Sequence, residues 1–292
     1  MKVALFGKSF DPRDALYIRE LADKLAALGG QLLVYEPFYH ALKDSVQFPV
    51  RPSLFTDQEG IRGNADYCFS IGGDGTLLGT VPLVGNSGIP IMGINMGRLG
   101  FLSGISKEEI LPALEQIAAM DFVLDSRTLL RLESPDHLFS GYNYALNDIT
   151  VFKNSPFSML KIRTTVNDDY LNTYWADGLI VATPTGSTAY SLSCTGPIVT
   201  PDSENFVITP IASHNLTVRP IVIRDDSIIR IVVESTETGY SVGMDSRVEK
   251  LERSVELVIK KEDFRINLLR LPGRNFLKTI RKKLNWGLDI RN

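Results

Sequence analysis

Five consecutive residues, Gly72-Gly73-Asp74-Gly75-Thr76, carry the clearest chemical signal in the chain. Glycine leaves no Cβ between a ligand and the backbone N–H groups, so a turn built from it closes on an oxyanion such as phosphate. The run from Thr76 to Val81 continues toward a helix, whose N-terminus adds positive dipole character at the same spot. A carboxylate in that setting repels phosphate. It makes chemical sense where Asp74 accepts a proton or shares a metal ion with the phosphates.

A second constellation runs from Asp177 to Ser193, where the apolar run Leu179–Ala182 ends in a loop dense in Thr, Ser and Gly, with Tyr190 at its far side. Hydroxyls and backbone N–H groups donate to phosphate or ribose oxygens without adding fixed charge, and an aromatic ring covers a base. The same composition also suits a turn capping a short helix. Asn147-Asp148 follows the β-type stretch Tyr142–Leu146, and two adjacent polar side chains at a strand end are more often an Asx turn than a ligand site.

Other chemistries find less support. Gly73-x-Gly75 matches the first two glycines of a dinucleotide fingerprint, but Leu78 stands where a small residue should let helix and sheet approach. Gly7-Lys8-Ser9 invites a P-loop reading, yet Lys2 occupies the position that motif gives to glycine. There is no G-x-S-x-G, and His40, His137 and His214 are far apart with no cysteine at ligand spacing.

The elements that must position these residues fall into two kinds. Short apolar runs at Lys2–Phe6, Gln31–Tyr35, Asp66–Ile71 and Ile89–Ile94 alternate with helical patterns. One is Asp14–Leu28, with a stripe at Leu16, Leu21, Leu25 and Leu28; another opens at the capping box Ser106–Glu109. This predicts an α/β domain with a largely parallel sheet over residues 1–121. From Phe122 to residue 269, about ten short β-type runs separated by turn chemistry predict an all-β domain. Residues 270–292 begin with a Pro272-Gly273 linker. An amphipathic helix follows over Asn275–Trp286, with Phe276, Leu277, Ile280 and Leu284 on one side and Lys278, Arg281, Lys282 and Lys283 on the other, expected to pack back on the first domain.

Bulk properties bound the function class. At 292 residues two domains are expected, and 44% hydrophobic with 22% charged residues is ordinary for a globular chain. A net charge of −3 offers no basic field for nucleic acid, and the uncharged stretches 75–97 and 178–201 are broken by Gly, Pro and polar residues, against a membrane span. Two cysteines, Cys68 and Cys194, argue for a reducing compartment, and Met1–Phe6 reads as a strand rather than a signal sequence. The expectation is a cytoplasmic protein.

Three segments taken together resemble the NAD kinase family: Gly72–Thr76, Asn95-Met96-Gly97-Arg98-Leu99-Gly100-Phe101-Leu102, and Asp177–Ser193 continuing to Gly196-Pro197-Ile198. Thr209-Pro210-Ile211 with His214 and Arg219–Val222 is similar to a fourth family segment. The glycine run alone is shared with lipid kinases; the long Asp177–Ser193 stretch separates this family from those. The resemblance implies transfer of the ATP γ-phosphoryl group to the adenosine-ribose 2′-hydroxyl of NAD, giving NADP. It also implies a divalent metal cation such as Mg²⁺, a Rossmann-like first domain, a β-rich second domain, and a homodimer or homotetramer. Carried over by position, Asp74 matches the proton acceptor and, through Mg-phosphate, the metal partner, with Gly73 and Gly75 in the nucleotide loop. Asn95 belongs to the second matching segment. Asn147 and Asp148 match the pair that holds NAD, where many members have Glu at the second position. Asp177 matches a nucleotide-contacting carboxylate, and Thr188, Ala189, Tyr190, Ser191, Leu192 and Ser193 match the loop around the second adenosine moiety. The chain departs from the family at Trp175, often basic, at Cys194-Thr195, often Ala-Gly, and at Asp245-Ser246-Arg247, commonly Asp-Gly-Gln. Arg247 is expected to supply phosphate-binding charge that Trp175 does not.

Overall fold

The strand Lys2–Gly7 is buried on both faces from Val3 onward, as strands of a helix-covered parallel sheet are. It pairs in parallel with Gln31–Tyr35 on one side and Tyr67–Ile71 on the other. The computed structural model describes residues 1–97, 100–156, 158–234 and 239–287. The chain forms two units, one running Met1–Ser126 and resuming at Ile266, the other Arg127–Arg265.

The sheet of the first unit has the order Ser53–Phe55, Gln31–Tyr35, Lys2–Gly7, Tyr67–Ile71, Ile91–Asn95, Ile266–Arg270, Val123–Arg127, with Ile105–Ser106 also pairing Ile91–Asn95. Chain order runs outward in one direction from Lys2–Gly7 through Gln31–Tyr35 to Ser53–Phe55, and in the other from Tyr67–Ile71 to Ile91–Asn95. The two strands therefore flank a topological switch point, where sheets of this type bind ligands beyond their carboxyl ends. Gly7-Lys8 and Ile71-Gly72 are those ends.

The helix Ala15–Ala27 forms as the periodicity predicts, but its buried stripe is Ile18, Leu21, Ala22 and Leu25, with Leu16 and Leu28 exposed. The predicted stripe includes two residues that lie off the sheet-facing arc. Four strands of this sheet go beyond the sequence expectation, Ser53–Phe55, Ile105–Ser106, Val123–Arg127 and Ile266–Arg270, and the last two move the unit boundaries. Val123–Arg127 and Ile266–Arg270 extend the first sheet, so the unit boundaries fall at Ser126/Arg127 and Arg265/Ile266 rather than after residues 121 and 269. Each is only five residues long and lies close to a change of composition, which hides its membership of the first sheet. The C-terminal helix spans Phe276–Leu284, capped by Asn275, whose Oδ1 accepts from the Lys278 N–H at 2.9 Å. It belongs to the first unit: Ile280 is buried, Lys283 lies 5.7 Å from the Phe101 ring, and Arg274 just before it bonds Glu109 at 2.6 Å and the Gly104 carbonyl.

The second unit contains two six-stranded sheets. One has the order Ile221–Arg224, Asn205–Ile211, Gly178–Ala182, Asp148–Lys153, Tyr240–Met244, Arg247–Leu251; the other has Asp169–Ala176, Leu160–Val166, Ile229–Glu234, Glu256–Lys261, Leu130–Ser134, Tyr144–Ala145. Every pairing given for these sheets is antiparallel. Inward residues of both, such as Leu132, Ile149, Ile162, Leu179, Phe206, Ile231 and Val242, share one apolar core. Between the strands Tyr144–Ala145 and Asp148–Lys153 the chain leaves the sheet ladder at Leu146-Asn147. Among the described residues no helix is long and apolar enough to cross a membrane.

Candidate functional site

In the first unit the glycine run leaves the strand Tyr67–Ile71 and enters the helix Asp74–Val84, with Gly73 as its N-cap. Gly72 has φ +143°, and a Cβ there would strike the Thr76 hydroxyl, so only glycine fits. At Gly73 and Gly75 a Cβ would meet nothing, which leaves the backbone of the first helical turn open to an incoming group. The first N–H groups of an α-helix have no partner within it, so here they join the positive end of an eleven-residue helix at one place.

Asp74 is held rather than loose. Its Oδ1 accepts from the N–H groups of Leu102 at 3.1 Å and Ser103 at 2.9 Å, and its Oδ2 from Phe101 at 2.7 Å. A carboxylate has about four acceptor directions, so Oδ2 keeps one for a further hydrogen bond. Gly100 makes the approach possible, because a Cβ at that position would fall on the Asp74 carboxylate. The end of the segment matched in the sequence as Asn95–Leu102, with Ser103 just beyond it, thus clasps Asp74. Arg98 and Leu99 of that segment lie outside the described residues. Asn95 ends its strand buried; its Oδ1 accepts from Gly97 N–H at 3.0 Å, while its Nδ2 has no partner among the described residues.

Lys8 has the wrong motif spacing for a P-loop. The sheet order nevertheless brings it to the switch point, where its Nζ donates to the Gly75 carbonyl at 3.0 Å. Its stem crosses Gly79, where a Cβ would collide with it. The local spacing holds no signal for this, since the contact joins the ends of two strands far apart in sequence.

In the second unit Asn147 and Asp148 sit at the start of the strand Asp148–Lys153, and Asp148 pairs with Ala182 at the end of Gly178–Ala182. The loop after Ala182 folds onto the pair. Thr183 Oγ1 donates to the Leu146 carbonyl at 2.6 Å and accepts from Gly186 N–H at 3.0 Å; a Cβ on Gly186 would strike the Asn147 backbone. Asn147 is buried with its Oδ1 unpartnered among the described residues. A buried acceptor without a donor is costly, roughly 1–3 kcal/mol, and points to a group that binds there.

Burial pushes the Asp148 carboxyl up to about 7, the nearby Asp245 charge pushes the same way, and a bond from the Thr150 hydroxyl at 2.9 Å opposes them. The Tyr190 hydroxyl is raised by burial first and then by Cys194, Asp177 and Asp148; the Cys194 thiol is raised by burial and by Asp148. Asn147, Asp148, Asp177, Tyr190 and Cys194 therefore share one neighbourhood. Asp177 pairs with Lys153 Nζ at 2.7 Å.

Thr188 ends the 3-10 turn Gly186–Thr188, and Tyr190–Ser193 form a short helix beyond the non-helical Ala189. Thr188 Oγ1 donates to the Thr185 carbonyl, Ala189 leads into the helix Tyr190–Ser193, and Tyr190 is 47% exposed, free to cover a planar group. Ser191 is turned inward to Thr209 Oγ1 at 2.9 Å, a structural rather than a ligand-facing position, and Leu192 and Ser193 lie at the surface side of the turn. Arg247 is placed differently from its expected phosphate role: its guanidinium donates to the Tyr142 and Tyr144 carbonyls and stacks over Phe139 at 5.6 Å. At Trp175 the neighbouring strand brings Lys161 Nζ to 5.7 Å from the ring, so a cation stands beside the aromatic.

Comparison with known proteins places both units in one context. The ATP-NAD kinase N-terminal domain family matches residues 16–122 and the ATP-NAD kinase C-terminal domain family matches residues 146–270. The chain is 41% identical over 293 residues to a NAD kinase of Cytophaga hutchinsonii and 42% identical over 294 residues to one of Flavobacterium johnsoniae, covering 100% of both chains in each case. Among solved structures it is similar to yeast NADH kinase complexed with NADH, with TM-score 0.87 and 26% identity over 100% of this chain and 89% of that one. It also shares the fold of an Archaeoglobus fulgidus NAD kinase in complex with ATP, with TM-score 0.73 and 23% identity over 98% of this chain and 99% of that one.

Proposed function

The chain belongs to the NAD kinase family, and from that premise we propose that it transfers the ATP γ-phosphoryl group to the adenosine-ribose 2′-hydroxyl of NAD, yielding NADP and ADP. The observation that carries this reading is the clasped carboxylate: Asp74 stands at a helix N-terminus suited to phosphate, yet is locked by three N–H groups with one Oδ2 direction left. A loop that only bound phosphate would have no use for a negative charge at that place.

Phosphoryl transfer asks the protein chiefly to position the reactants and offset charge. The open backbone at Gly73 and Gly75, the helix N-terminus and Lys8 receive the donor phosphates. Asp74 orients the 2′-hydroxyl and takes its proton as the new O–P bond forms and the bond to the ADP oxygen breaks, a contribution of about 10²–10⁴ in rate. In the second unit Asn147, Asp148 and Asp177 grip the hydroxyl and amide groups of NAD, with Tyr190 over a ring. Fixing the attacking hydroxyl in this way contributes up to about 7–11 kcal/mol in well-oriented systems.

The divalent cation, Mg²⁺ above all, enters as the ATP complex. Among the described residues no cluster of three or more His, Cys, Asp or Glu is arranged to hold an ion alone. With the one open Oδ2 direction of Asp74 given to the 2′-hydroxyl, the ion would draw its ligands from phosphate oxygens and water and would offset their charge. The reading includes a cytoplasmic location, from the two free cysteines, and a homodimer or homotetramer, as the family resemblance implies.

The test is to incubate the protein with NAD, ATP and Mg²⁺ and follow NADP through glucose-6-phosphate dehydrogenase. NADP formation that requires ATP supports the assignment. NAD binding by calorimetry with no NADP formed, in the presence of ATP and Mg²⁺, would overturn it in favour of a non-catalytic dinucleotide sensor.

A further inference from the structure

Asp245 sits in the turn between the strands Tyr240–Met244 and Arg247–Leu251 at φ +53°. The residue is partly buried and its carboxylate faces inward, toward the neighbouring backbone. Oδ2 accepts from Leu146 N–H at 2.8 Å, and Oδ1 accepts from Asn147 N–H at 2.8 Å and from Asp148 N–H at 3.4 Å. The backbone returns the contact, with Asp245 N–H donating to the Asp148 carbonyl at 3.1 Å. These bonds span the break between the strands Tyr144–Ala145 and Asp148–Lys153. Without them three consecutive N–H groups would lose their acceptor, at roughly 1–3 kcal/mol each where water cannot replace it.

An inward-facing carboxylate is an expensive way to satisfy backbone donors. A serine or an asparagine could cap part of the same break without charge. What the carboxylate adds is rigidity at three successive peptides and a negative charge directed at the Asp148 side chain. The peptide it holds carries Asn147, whose buried Oδ1 has no partner among the described residues.

We propose that Asp245 is a positioning residue for the dinucleotide substrate, clamping the Leu146–Asp148 backbone so that the Asn147 and Asp148 side chains are held ready for ribose and amide groups. This rests on the reading that Asn147 and Asp148 hold NAD. The groups facing Asp148 are Asp245 on the hairpin turn, Tyr190 and Cys194 on the helical turn, and Thr150 on its own strand; the Arg247 charge acts in turn on Asp245. Of these Asp245 is the one that opposes a charge on Asp148, so the ionisation of Asp148 reports on it. Removing the Asp245 charge brings the Asp148 carboxyl back toward its ordinary range.

The experiment compares Asp245→Asn, Asp148→Asn and the double variant. It records kcat, KM for NAD and for ATP, thermal unfolding, and the pH profile of kcat/KM for NAD. Asp245→Asn is expected to raise the NAD KM at least tenfold while the ATP KM stays within twofold, and to move the inflection near neutrality to lower pH. In the Asp148→Asn background that inflection is absent, and adding Asp245→Asn produces no further shift. Asp245→Glu keeps the charge, and is expected to keep the wild-type inflection with an intermediate NAD KM; it also carries the test should Asp245→Asn not fold. An unchanged NAD KM in Asp148→Asn would sink the underlying reading of the NAD-holding pair. A raised NAD KM in Asp148→Asn, with an unmoved inflection and NAD KM in the Asp245 variants, would overturn the role of Asp245 alone. So would a loss of kcat with both substrates affected equally, the pattern of a purely structural residue.

Discussion

The Lys8 ammonium lies 3.0 Å from the carbonyl of Gly75, one residue beyond the aspartate of the glycine run. A lysine amine carries three donors and this contact takes one, so two remain for oxyanions at the same helix end. The sheet order makes the contact, since Lys8 and Gly72 follow neighbouring strands on either side of the switch point.

Lys8→Met is therefore expected to raise the ATP KM about tenfold or more, the size of one charge-assisted hydrogen bond of about 1.5–3 kcal/mol. The NAD KM should stay within twofold, and Lys8→Arg should recover most of the loss. Steady-state kinetics with each substrate varied in turn checks this. An unaltered ATP KM in Lys8→Met rules the lysine out of donor binding.

Asp74→Asn tests the base and the clasp together. The amide keeps one acceptor but turns an NH₂ toward the N–H groups of the 101–103 segment, which all donate. A fall in kcat of at least about 10² is expected from loss of the proton acceptor. NAD affinity by calorimetry should be largely kept, because its grip is assigned to Asn147, Asp148 and Asp177. A stability loss of roughly 1–3 kcal/mol should accompany this in denaturant melts, from the backbone donors left poorly paired. Near-normal turnover would remove Asp74 from the chemistry.

Asp148 makes stability depend on pH in a defined direction. Burial, then Asp245, raises its carboxyl in the folded protein from the ordinary 3.8 to about 7. Between those values the folded state binds the proton that the unfolded chain has released, so stability falls as pH rises. The contribution is full below about 3.8, is lost as pH passes about 7, and is on the order of 4 kcal/mol from end to end. Asp148→Asn lacks this loss. Its melting temperature relative to the wild type should therefore increase between pH 5 and pH 8, as calorimetry at matched ionic strength would record. A constant difference across that range contradicts the assignment.

Chemistry carried by neighbouring residues is legible in the chain itself. Gly72–Thr76 announces a strand, a turn that only glycine can make and a helix start, because each of those depends on residues within one or two turns of each other. Alternation of strand and helix patterns, then of strands alone, likewise separates an α/β layer from a β-rich unit. The Asp177–Ser193 stretch reads as a loop of donors because its composition is local too. The partners of the key side chains are not legible in this way. Asp74 meets Phe101, Leu102 and Ser103, Lys8 meets Gly75, and Asp245 meets Leu146 through Asp148, in each case across a sheet register or a turn that no spacing rule encodes. Sequence alone determined which residue types could bind phosphate and accept a proton. Only the tertiary structure decided which backbone donors hold those residues still, because hydrogen bonds between strand ends depend on sheet order and register.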